Sequence, residues 1–164
     1  MNADRLADLL SAMEGEISAF EACVAVQKEF ARAMEARDWP SLESAMGRLD
    51  ERFAETRRLE ARRDEAEAEL RRELGAPGEG ISSLLFHVSE PSRTLLADQH
   101  RKLRVAAMRV RLENGAIGDY ASASRNLLGD ILRELFPEKK GKIYGRSGKA
   151  VEPGHDAILL NTAM

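Results

Sequence analysis

With 164 residues, the chain has room for one domain, or for one domain and a tail. Charged residues make up 32% and aromatic residues 5%, and Ala, Glu, Arg and Leu dominate, a mixture that favours long helices over sheet. The net charge of -3 excludes a global attraction to nucleic acid or anionic membranes, and the single cysteine, Cys23, excludes an intramolecular disulfide.

Asp4, Asp8 and Glu14 interrupt the N-terminal stretch, so no signal peptide is expected. No run approaches the ~20 apolar residues of a membrane span. A cytoplasmic protein is expected. The first predicted helix covers 2–37, with a seam of Leu6, Leu10, Met13, Ile17, Phe20, Val24, Gln27, Ala31 and Met34 at alternating gaps of four and three. Gln27 is the one polar member; it either fixes register or occupies a tolerated edge. Cys23 reads as a small core or flank residue. Arg37-Asp38-Trp39-Pro40-Ser41 breaks the pattern, with Asp38 or Ser41 as the next cap and Trp39 expected to wedge into the junction.

The second helix is predicted over about 41–74, through Leu42, Met46, Leu49, Phe53, Leu59, Ala66, Leu70 and Leu74. Charges crowd its second half and the seam drifts there. Glu60 with Arg63 and Glu67 with Arg71 form helical pairs, and the run reads as a solvated helix end. A nucleic-acid contact by Arg57, Arg58, Arg62 and Arg63 is the weaker reading, because acids are interleaved and no aromatic platform accompanies them. Gly75–Gly80 is expected to be a flexible turn, without the context of a phosphate loop. A short helix follows over 81–89, with Leu84, Leu85 and Val88 as core.

The last helix is predicted over 91–136 and organises the chain. Leu96, Leu103, Ala106, Val110, Ile117, Ala121, Ser124, Leu128, Ile131 and Leu135 share one face. Asn114-Gly115 lies mid-helix, where glycine costs ~1 kcal/mol; a close helix approach or a local bend would account for it. Leu127, Leu128, Ile131, Leu132, Leu135 and Phe136 cover more than one seam. The surplus either buries against the short helix or forms a groove for a partner's amphipathic helix. Residues 137–164 read as a flexible tail rich in lysine and glycine. Its terminal Ile158-Leu159-Leu160 needs a partner or packs back.

The chemistry-bearing residues do not converge. His87, His100 and His155 lie on different elements without a metal-ligand spacing, and no nucleophile motif is present. The expectation is a non-enzyme without cofactor or metal. The fold class is all-α: an elongated antiparallel bundle of three long helices plus one short helix over 1–136, with the tail over 137–164.

Asn114-Gly115, followed by apolar residues from Ile117 to Leu135 and then by Tyr144-Gly145-Arg146-Ser147-Gly148, resembles the FlgN family of flagellar type III export chaperones. The two heptad helices match only generically. The chain departs at Arg111, where the family often has a second Asn, and in its longer 75–89 segment. The resemblance implies a cytoplasmic chaperone for the hook-associated proteins FlgK and FlgL that masks their amphipathic terminal helices and delivers them to the export gate protein FlhA. It implies client binding by the C-terminal helix and tail, which places Asn114, Ile117, Leu128, Ile131, Leu135 and Phe136 on the client. Gate docking falls to Tyr144, Gly145 and Gly148. No nucleic acid or membrane insertion is implied, and monomer or homodimer stays open. A homo-oligomeric coiled-coil scaffold without a client is the alternative.

Overall fold

The computed structural model describes residues 2–135, 143–144 and 150–151. Met1–Ala121 forms one compact unit and Ser122–Met164 a second. The helices are α1 (Asn2–Ala36), α2 (Trp39–Leu74), α3 (Ile81–Leu84) and α4 (Ser92–Leu135), the last continuous across the division. The fold is an all-α bundle, as the periodicity predicts. One addition is a two-residue antiparallel ladder between β1 (Ile143–Tyr144) and β2 (Ala150–Val151), with Tyr144 opposite Ala150. The rest of the expected tail lies outside the described residues.

α1 and α2 are joined by only two residues. Arg37 adopts a left-handed φ of 56°, and the Asp38 N–H donates to Ala33 O at 2.9 Å, which satisfies the end of α1. Asp38 then caps α2: its Oδ1 accepts from the Ser41 N–H at 3.2 Å and its Oδ2 from the Ser41 hydroxyl at 2.6 Å. These bonds hold the Asp38 carboxyl below its usual range. Trp39 is not the expected wedge; it is 70% exposed. Backbone bonds and the buried Ala33 and Ala45 already close the junction.

Arg5–Glu69, Glu16–Arg63, Cys23–Thr56 and Glu29–Arg48 pair across the hairpin and make α1 and α2 antiparallel. Small buried residues, Ala12, Ala19, Cys23, Ala33 and Ala45, let the two backbones lie close. The buried face of α1 is rotated from the expected seam. Leu6, Met13 and Gln27 are buried as read, but Leu10, Ile17, Val24 and Ala31 are only half-buried. Leu9, Glu16, Cys23 and Val26 are buried instead, because α1 packs against both α2 and α4.

The drift in α2 has a specific cause. The predicted stripe leaves gaps between Phe53 and Leu59 and between Leu59 and Ala66. Thr56 fills the first, buried, with its hydroxyl 3.5 Å from Cys23 Sγ. Arg63 fills the second, its Nε donating to the buried Glu16 at 2.6 Å. Met46, placed on the seam by its hydrophobicity, is exposed, and Ala45 takes its place.

α3 is shorter than the predicted 81–89 helix. After Leu84 the chain tightens into turns, with Phe86 N–H donating to Ser83 O and His87 N–H to Leu84 O. Ile81, Leu84 and Val88 still pack with Leu6, Leu9, Met13, Leu70, Leu96 and Leu103 in the apolar core. The glycine turn before it is tied down. Gly75 ends α2 at φ 61°, and Arg71 donates to Gly78 O at 2.8 Å, Gly80 O at 3.0 Å and Ser83 Oγ at 2.8 Å. Arg71 also pairs with Glu67. The charge run at the end of α2 is therefore partly structural, not merely solvated.

Candidate partner-binding surface

Glu90 opens α4, its Oε2 accepting from the Thr94 hydroxyl at 2.8 Å and the Thr94 N–H at 3.3 Å. Leu96, Leu103, Ala106 and Val110 are then buried at helical spacing. α4 runs in the direction of α1: its start packs with Leu6, Leu9 and Met13, and Val110 meets Gln27 further along. Gln27 Nε2 donates to Val110 O at 3.2 Å and to Asn114 Oδ1 at 3.1 Å. Gln27 is fully buried, so it does not occupy a tolerated edge, and its two hydrogen bonds to α4 are what a register device needs.

Asn114 is thus engaged within the chain, though exposed. Gly115 is not explained by a close approach inside the chain: a Cβ there would meet nothing within 4 Å. Ile117 is half-buried, and Ala121 and Ser124 are exposed.

From Leu127 to Leu135 the helix carries large aliphatic side chains in the open. Leu128, Ile131 and Leu135 are 57%, 42% and 67% exposed, and Leu127 and Leu132 flank them, also exposed. The first three continue the α4 stripe; the flanking leucines widen it. The nearby polar groups satisfy each other, with Arg133 bonded to Asp130 at 2.7 Å and to Gly129 O at 3.3 Å. Phe136, Gly145 and Gly148 lie outside the described residues. Of Tyr144 only the backbone is described, in β1.

This surface can bury an apolar helix stripe, and its carboxylate Asp130 is taken up by Arg133. Among the described residues no group of three or more His, Cys, Asp or Glu is placed to hold a metal ion. The perturbed titratable groups belong to packing. Burial raises the Glu16 carboxyl above its usual range, against the pull of Arg63. Burial, then Arg104, pushes His100 down. Arg63, one of four arginines weighed for nucleic acid, is committed to Glu16, Asp64 and Glu67. No described helix is long and apolar enough to cross a membrane.

The sequence reading passed over Val105, Met108 and Leu112, three exposed apolar residues of α4. Their i, i+3, i+7 spacing among arginines is the sequence signal for them.

A family model described as FlgN protein matches residues 1–152. No curated protein and no solved structure gives a match.

Proposed function

The chain belongs to the FlgN family of flagellar export chaperones, and from that membership we propose that its clients are the hook-filament junction proteins FlgK and FlgL. The proposed client site is Leu128, Ile131 and Leu135, extended by Phe136 and bordered by Asn114 and Ile117. A client's amphipathic terminal helix lies along this stripe in the cytoplasm and is masked from premature self-association. Tyr144, Gly145 and Gly148 then dock the loaded chaperone to the gate protein FlhA. The reading needs no cofactor and no catalytic group.

The observation that carries it is the exposure of five large aliphatics within nine residues of one helix, Leu127 to Leu135. Covering several hundred Å² of such surface gains several kcal/mol at ~25 cal/mol per Å². Ordering costs reduce the gain, which suits a complex that must later come apart. Tyrosine is a favoured anchor for the proposed gate contact.

Light scattering on a size-exclusion column tests this, with the protein alone and mixed with the C-terminal helical fragment of a junction protein. A species with the summed mass is expected, and it should be lost in Leu128→Ser/Ile131→Ser/Leu135→Ser. A free protein that is already a tight homo-oligomer and takes up no fragment would favour the scaffold reading. For the gate, Tyr144→Ala should weaken capture by FlhA while leaving client binding intact.

A further inference from the structure

Residues 99–112 of α4 hold five cations, Arg101, Lys102, Arg104, Arg109 and Arg111, and no carboxylate, in a chain whose net charge is -3. Arg101 and Lys102 share Asp98, at 2.6 and 2.8 Å. Among the described residues, Arg104, Arg109 and Arg111 form no ion pair. Between these cations stand Val105, Met108 and Leu112, all exposed. They form one stripe, on the side of α4 away from the buried Leu96, Leu103, Ala106 and Val110. A shallow depression of about 290 Å³ lies along this face of α4, between Ala97, His100, Arg101, Arg104, Val105 and Met108.

We propose that this face of α4 docks an acidic amphipathic helix of a partner protein, with apolar anchors on Val105, Met108 and Leu112 and carboxylates against Arg101, Arg104 and Arg111. The i, i+3, i+7 spacing gives one seam along which a partner helix can pack. The excess positive charge selects an acidic occupant and repels a second copy docked through the same face. Nucleic acid fits less well, because no Phe, Tyr or Trp side chain is there to stack on bases. A bilayer fits less well too: three medium-sized apolar side chains without aromatics make a poor interfacial anchor. The site uses none of residues 127–135, so it stands or falls independently of the client reading.

The test is fluorescence anisotropy on the full chain with a labelled synthetic peptide bearing leucines at i, i+3 and i+7 and glutamates elsewhere. The expected result is salt-sensitive binding that weakens about tenfold or more in Val105→Ser/Met108→Ser/Leu112→Ser and in Arg104→Glu/Arg111→Glu. Leu128→Ser/Ile131→Ser/Leu135→Ser should bind it unchanged. Circular dichroism checks that the variants keep their helix. The proposal is overturned if the peptide does not bind, if its lysine counterpart binds as well, or if both face variants bind like the parent. Tighter binding to phosphatidylglycerol vesicles or to a single-stranded oligonucleotide than to the peptide would also overturn it.

Discussion

Residues 96–110 and 127–135 of α4 carry apolar stripes of similar make, yet only the first is covered. Leu96, Leu103, Ala106 and Val110 are buried, while Leu128, Ile131 and Leu135 are open to solvent. Hydrophobic periodicity therefore reports that a face wants covering; it does not report what covers it. Along the first stretch the cover is the chain's own, and it is held in register by polar contacts. Along the second, the aliphatic residues remain available, which is the property a transient binding face requires.

Substitutions can break that contrast in graded steps. The largest effect is expected from Leu96→Ala, a fully buried leucine in the apolar core, at about 4 kcal/mol in urea unfolding. Next comes Glu16→Ala, which removes the buried partner of Arg63 but leaves it Asp64 and Glu67, and should cost about 2 kcal/mol. The pH dependence of this pair has a definite sign. Because burial raises the Glu16 carboxyl above its unfolded value, the folded state holds that proton more tightly. Its contribution is full below the unfolded value near 4.5 and is lost as pH rises through the folded one. Glu16→Gln should remove this decline, seen as a flatter difference curve above pH 4.5. If parent and Glu16→Gln curves ran parallel, burial would not be governing this carboxylate.

Asn114→Ala removes one acceptor from buried Gln27 and should cost about 1 kcal/mol. It sits between the two stretches and sharpens the comparison: a loss of stability without loss of client binding would assign Asn114 to register alone. The smallest stability effect per substituted residue is expected from Leu128→Ser/Ile131→Ser/Leu135→Ser, within about 0.5 kcal/mol at each exposed site, although client capture should disappear. A large fall in stability in the free protein would show that this stripe is already covered.

Much of this was legible in the chain. The three long helices, a cap at Asp38 or Ser41 and the α4 stripe follow from spacing and capping chemistry alone. What stayed hidden is what an apolar pattern cannot register. Arg63 and Glu16 are invisible as seam residues until each is seen to neutralise the other. Thr56 is too polar to score, yet it fills the hairpin beside Cys23, which the sequence already reads as core or flank. Trp39 misled for the opposite reason, since large size predicts burial only where the packing leaves room. Arg71 was read as half of a weak surface pair, because its backbone acceptors in the glycine turn depend on tertiary geometry. The partner surfaces were legible as surplus hydrophobicity, but their occupants are not encoded in this chain.

The two-residue link at Arg37-Asp38 also bears on the order of folding. Contacts between α1 and α2 grow outward from it, from Glu29–Arg48, 19 residues apart, to Arg5–Glu69, 64 apart. Each new contact extends a loop already nearly closed, so the hairpin can zip progressively without a single long-range search. Made from the N-terminus, this hairpin can form before α4 leaves the ribosome. α4 then meets a preformed template, and Gln27 is already in place to select its register.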